Sequence, residues 1–290
     1  MNRIWQQFFG TGFVKTTDNF GVQSERPSHP ALLDWLALEF IKSNWDVKLL
    51  HKRIVLSATY RQSSRVTPAL HERDPENRLL ARMTRQRLPS WMIRDQALFV
   101  SGLLVEKQGG PPVKPYQPGG VWAEVTFGKK RYSQDKGESL YRRSLYTFWR
   151  RIVGPTMFFD ESKRQTCEVR RALTNTPLHA LVTLNDIAYV EAARAMAQRV
   201  LKEGGADDDV RVSHAFRLAT SREPKLSERV ILLQRLNQLR ATYAKDHKAT
   251  QALLAVGEFK RDEKLNATDH AAYSVLCNLI LNLDEVITRE

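Results

Sequence analysis

Residues 109–120 read GGPPVKPYQPGG, eight Gly or Pro in twelve positions, and neither residue type propagates a helix or a central strand. This stretch is a loop, so regular structure must be built on either side of it. On its N-terminal side the apolar residues recur at helical spacing. Leu32, Leu33, Leu36, Ala37, Phe40 and Ile41 form one stripe behind Ser28-His29-Pro30, which predicts a helix over 29–43 with proline tolerated in its first turn. Asp46 can cap a second helix through Val47, Leu50, Ile54 and Ala58, and Ser90 a third through Ile93, Ala97, Val100 and Leu104.

Beyond the loop, Val121 to Phe127 alternates weakly and is read as a short strand. Leu140 to Ile152 stays open between the two structures: its β-branched and aromatic residues favour strand, while the Tyr141, Leu145, Phe148, Ile152 spacing favours helix. Thr176-Pro177 starts another helix, Asn185-Asp186 breaks and recaps it, and Gly204-Gly205 ends the segment. Everything after it reads as helix. The expectation is a mainly α chain, an irregular multi-helix array with a small β or loop insertion around 109–135. Its division is a basic helical domain over 1–205 and a neutral helical subdomain over 206–290, with one continuous domain as the alternative. A chain of 290 residues buries roughly 75% of its unfolded surface, so it needs neither disulfide nor metal to hold a core.

The formal net charge of +13 is unevenly placed. Residues 1–200 carry 31 basic and 18 acidic side chains, while residues 201–290 carry 14 of each. Residues 51–94 hold 10 basic against 3 acidic groups, and residues 129–151 hold 8 against 2. Charges are screened over about 8 Å at physiological ionic strength, so only clustered cations add into a field that a partner senses. Arginine supplies 29 of the 45 basic groups. Its planar fork suits carboxylate, sulfate or phosphate, and equally suits pairing inside a helical protein. On sequence, both readings stand.

The sequence holds few catalytic constellations. The nearest two of the seven histidines are 20 positions apart, which excludes HExxH and any other sequence-local zinc site. The chain has no CxxC redox pair and no CxxCH, so it carries no haem c attachment of its own. Gly10-Thr11-Gly12 lacks the rest of a nucleotide-binding fingerprint and reads as a turn, and Ser133-Gln134-Asp135-Lys136 reads as a chance SxxK match. The longest apolar run, Ala252 to Val256, is five residues, far short of the ~20 of a membrane span.

His51 reads as a core histidine beside Leu50. His29 sits at a helix start, where it can cap or pair with Asp34. Cys167 and Cys277 read as free structural thiols, although Arg170 and Arg171 would depress the pKa of Cys167. Asp160-Glu161 offers two carboxylates that point apart and need a tertiary partner. Asp207 to Asp209 reads most simply as a solvated loop, with calcium binding the weaker alternative because the glycines and spacing of an EF-hand are missing.

The runs NRIWQQFFGTGFVKTTDNFG (2–21), ERPSHPALLDWLA (25–37), SATYRQSS (57–64), DPENRLLAR (74–82), LYRRSLYTFWRR (140–151), CEVRR (167–171) and TNTPLHALVTLND (174–186) resemble the planctomycete cytochrome c-associated C-terminal domain family. The resemblance spans nearly the whole chain, with its motifs in order. It implies a parent protein that is periplasmic or otherwise extracytoplasmic and that often carries a cytochrome c module, hence haem c, ahead of this domain. It also implies that Met1 stands mid-domain, in a truncated chain. It implies no biochemical activity and no catalytic residue.

Two functions follow. In the first, the chain is an accessory domain whose arginine-rich portion docks an acidic protein module or an anionic polysaccharide. In the second it is an enzyme, a hydrolase or a redox-linked one, with Arg94 and Asp95, Arg142 and Arg143, Arg170 and Arg171, and Asn175 with Asn185 and Asp186 converging on one cleft. Asn175 and Asn185 both precede helix starts, where capping worth about 1 kcal/mol is a sufficient reason for an asparagine. Nucleic acid is disfavoured, because no helix gathers its arginines on one face.

Overall fold

The computed structural model describes residues 1–150, 153–162, 166–169 and 173–289; Ile152, Arg170 and Arg171 lie outside them. The described helices are α1 (Asn2–Phe9), α2 (Pro30–Lys42), α3 (Val47–Leu56), α4 (Pro68–Arg73), α5 (Ser90–Ser101), α6 (Val121–Val125), α7 (Pro177–Asn185), α8 (Ile187–Glu203), α9 (Asp208–Thr220), α10 (Leu226–Lys245), α11 (His247–Leu254), α12 (Ala267–Leu281) and α13 (Asp284–Ile287). Strands β1 (Gln86–Arg87) and β2 (Thr288–Arg289) pair antiparallel, Gln86 opposite Arg289 and Arg87 opposite Thr288. The chain is therefore mainly α with a small β element. It divides into two compact units.

One unit comprises Met1–Arg87 closed by the described residues of 167–172 and 288–290. Its core is aromatic: the Trp5 ring stacks on Phe9 at 4.2 Å and on Phe13 at 4.3 Å, and Leu36, Leu50, Ile54 and Met83 complete the cluster. α2 begins at Pro30, which takes its first helical position as the sequence predicts. His29 is the N-cap residue without a side-chain capping bond, and its Nδ1 lies 3.0 Å from the Ser28 hydroxyl rather than against Asp34. Asp46 caps α3 by accepting from Leu49 N at 2.9 Å.

The other unit holds 88–166 and 173–287. α8 runs through its centre and is buried nearly all round, through Ala192, Ala193, Ala195, Met196, Ala197 and Val200. A helix apolar on every face must be covered on every face, and α5, α7, α9 and α12 pack against it. Alanine at four of these positions leaves the neighbouring helices room to approach. The division expected at 205/206 falls inside this unit, where α8 packs on α12.

Four local expectations are corrected. Ser90 does not cap α5: Pro89 occupies the N-cap, and the Ser90 hydroxyl donates instead to Phe159 O at 2.9 Å. Val121–Val125 is a helical turn, with Gly120 at φ 88° supplying the reversal before it. Residues 137–146 form two 3-10 turns, Gly137–Tyr141 and Ser144–Tyr146, edged by isolated bridges from Arg142 to Val105 and from Thr147 to Val113. Of the expected solvated loop 207–209 only Asp207 stays exposed outside the helix, where it caps α9 by accepting from Asp209 N, while Asp208 and Asp209 lie in the first turn and bind Arg240 and Arg229.

Candidate functional site

The LYRRS run and α5 meet at Arg94. Arg94 is only 1% exposed. Its Nη2 donates to Leu140 O at 2.7 Å, and its Nη1 to Arg142 O at 3.0 Å and to Ser144 Oγ at 3.1 Å. Asp95 accepts from Ser144 N at 2.7 Å and from Ser144 Oγ at 2.6 Å, with Arg94 Nη1 3.6 Å away. Burial holds the Arg94 guanidinium below its ordinary pKa, against the opposing pull of Asp95, Tyr189 and Asp186. Asp186 caps α8 through Ala188 N at 2.9 Å, and burial raises its carboxyl above the usual range while Arg94 counters. The arrangement clamps residues 140–144 onto α5.

Arg142 points the other way, into the Gly/Pro run. Prolines 111 and 112 bring no N–H to their own loop, so its carbonyls need outside donors. The buried Arg142 guanidinium supplies them, to Lys107 O at 3.0 Å, Pro111 O at 3.2 Å and Gly109 O, with its plane 3.9 Å from the Tyr146 ring centre. Tyr146 in turn accepts from Gly109 N at 2.8 Å.

Arg170 and Arg171 lie outside the described residues, and three of the other expected site residues stand at the surface. Arg143 is exposed, and so is Asn175, which stands one position before Thr176, the N-cap of α7. Asn185 is exposed and donates to Leu181 O within its own helix at 2.8 Å. Arg94, Asp95 and Asp186 thus share one buried neighbourhood that holds backbone in place. A cavity beside α5, between Gln96, Thr183, Tyr189, Asn278 and Asn282, measures about 10 Å³, the room of a single water. Among the described residues no three His, Cys, Asp or Glu side chains stand close enough to hold a metal ion.

Two groupings escaped sequence reasoning. The first is Asp160, whose missing tertiary partners are Thr174, donating through N at 2.6 Å and Oγ1 at 2.8 Å, and His179, with Nε2 at 3.7 Å. The His179 ring stacks on Phe159 at 4.1 Å. Nothing in the spacing of a lone His announced this pair.

The second grouping lies at the far end of the insertion. Trp122 is buried, donates to Gln117 Oε1 at 2.8 Å and packs against Tyr132 and Phe148, which anchors the stretch. From that base the Thr126 hydroxyl donates to Trp122 O at 2.5 Å and accepts from Lys130 N at 3.1 Å, closing a tight loop. At its tip Phe127 is 91% exposed and held at φ 52°, a left-handed conformation costly for an aromatic residue. Lys129, Lys130 and Arg131 follow, all exposed. No carboxylate pairs with any of the three among the described residues. The charge excess over 129–151 is the sequence signal for this loop.

Residues 1–236 match the family described as PSD1, protein of unknown function (DUF1553). No curated protein and no solved structure matches the chain.

Proposed function

The chain belongs to the PSD1 (DUF1553) family of unknown function, and from that premise we propose that it is a docking module whose 126–131 loop binds an anionic polysaccharide. The observation that carries this reading is the state of its cations. Arg94 and Arg142 are buried and committed to carbonyls of their own chain, whereas Lys129, Lys130 and Arg131 stand in solvent beside an exposed aromatic ring. Three adjacent cations match the repeated sulfate or carboxylate groups of such a polymer. Phe127 offers a flat apolar face to the C–H surface of a sugar ring, which explains why a strained aromatic is kept out of the core.

The extracytoplasmic setting and the haem c module of a planctomycete parent protein, implied by the motif runs, belong to the same proposal: extracellular matrices are where such polymers occur. The commitment of Arg94, Asp95 and Asp186 to their own backbone favours docking over the enzyme reading. Retention on immobilised heparin tests the docking reading. Release of about three condensed counterions predicts a log–log salt slope of roughly −2 to −3. Reversing Lys129, Lys130 and Arg131 to Glu should abolish retention, while reversing Lys48 and Lys52 should leave it nearly intact. Equal losses in the two variants, or binding indifferent to salt, would remove the proposal.

A further inference from the structure

α2 keeps apolar surface that its own unit does not cover. Leu36 is buried, and Leu32, Leu33 and Phe40 pack on the Trp5 cluster. On the other side Trp35 is 51% exposed, Leu38 57%, Ile41 53% and, just past the helix end, Trp45 63%. At about 100° per residue, Asp34, Trp35, Leu38, Ile41 and Lys42 occupy one face roughly 120° wide with Leu38 at its middle. Contiguous apolar faces of this kind mark interaction surfaces.

We infer that this face pairs with α2 of a second copy of the chain, antiparallel, about a two-fold axis at Leu38. The order of charges selects that partner. With Leu38 on the axis, Asp34 of one copy lies level with Lys42 of the other, twice over by symmetry, and Trp35 lies level with Ile41. Parallel pairing would instead set Asp34 against Asp34 and Lys42 against Lys42. Both charges are available: Asp34 is exposed with no ion pair among the described residues, and Lys42 keeps 72% of its side chain in solvent while leaning on Glu39 at 3.3 Å. The position level with Trp45 is Ala31, small and exposed, so an indole meets a methyl group there. The exposed parts of Trp35, Leu38, Ile41 and Trp45 amount to roughly 500 Å² per copy, taking aromatic side chains at ~150–250 Å². Two copies then bury about 1,000 Å², the lower bound of a specific interface, and the dimer is a weak one that forms and parts with concentration.

Sedimentation equilibrium of the full chain carrying Cys167→Ser, across micromolar concentrations, reads this directly. The expected result is a reversible monomer–dimer equilibrium that Leu38→Glu abolishes with little change in melting temperature, since more than half of Leu38 lies in solvent. Asp34→Lys alone should weaken association about tenfold, and adding Lys42→Asp should restore it. In the same background, Leu38→Cys should oxidise to a covalent dimer faster than Ile41→Cys. A chain that stays monomeric throughout overturns the inference, as does a dimer indifferent to Leu38→Glu or a charge swap that fails to restore it. Should the monomer instead bind anionic vesicles through Trp35 and Trp45, the face serves a lipid surface and the dimer is equally refuted.

Discussion

Gly257 is where one methyl group does the most calculable damage. It sits at φ 82°, and a Cβ built there would stand 2.2 Å from Glu191 Cδ and 2.3 Å from its Oε1. That carboxylate cannot simply step aside. Glu191 is 1% exposed and accepts from Phe259 N at 2.6 Å and from Tyr141 OH at 2.9 Å. One turn on, Arg194 donates to Val256 O at 3.1 Å and to Phe259 O, so two charged side chains of α8 stitch the 256–259 turn in place. Gly102 provides the control, at φ 80° with nothing within 4 Å of its added Cβ. Gly102→Ala therefore carries only the left-handed backbone cost, about 1–2 kcal/mol. Gly257→Ala carries that cost plus the loss of a hydrogen bond to a buried charge, about 1.5–3 kcal/mol more. For a unit of this size about 3 °C of melting temperature goes with each kcal/mol, which predicts losses of roughly 3–6 °C for Gly102→Ala and roughly 8–15 °C for Gly257→Ala by differential scanning calorimetry. Equal losses in the two variants would refute the clash argument, because the shared backbone term would then be the whole effect.

Removing Arg94 should be costly for a different reason. Arg94→Ala strands Asp95 and the carbonyls of Leu140 and Arg142, and breaking a buried charged pair costs about 3–5 kcal/mol; Arg94→Lys, lacking the planar fork, should recover less than half of it in urea unfolding. Glu228 provides a pH signature. Its bonds to Arg222 hold its carboxyl down at about 2, from an ordinary 4.5. A depressed folded-state pKa means the pair's stabilisation is present above pH 4.5 and is lost as pH falls through 2. The melting temperature should therefore decline across that acid window, and Arg222→Ala should flatten the decline; an unchanged slope in the variant would show that other carboxylates carry it. Burial also pushes the Cys277 thiol up, so a thiol reagent at neutral pH should label exposed Cys167 rapidly and Cys277 only on unfolding.

Legibility in this chain tracks the sequence distance over which each interaction acts. The stripe that became α2, the Asp46 cap and the Asp186 cap rest on contacts within four residues, and all three were readable before any coordinate. The weak alternation over 121–127 misled because five residues of mixed character do not distinguish a helical turn from a strand; Gly120 and the Trp122 anchor decided the matter. Asp160 shows the same limit at a site: its carboxylate could be noticed, but Thr174 lies 14 residues on and His179 lies on another element.

By itself, the sequence determined the helical class, the loop at 109–120 and the excess of cations in the first two-thirds of the chain. Only the tertiary structure decided which of those cations are spare. Arg94 finds its acceptors 46 to 50 residues away and Arg142 finds its own 31 to 35 residues back, beyond any local pattern. A guanidinium on a long side chain can satisfy carbonyls wherever the fold brings them. Composition records how many arginines there are, and only packing records how many remain to meet a partner.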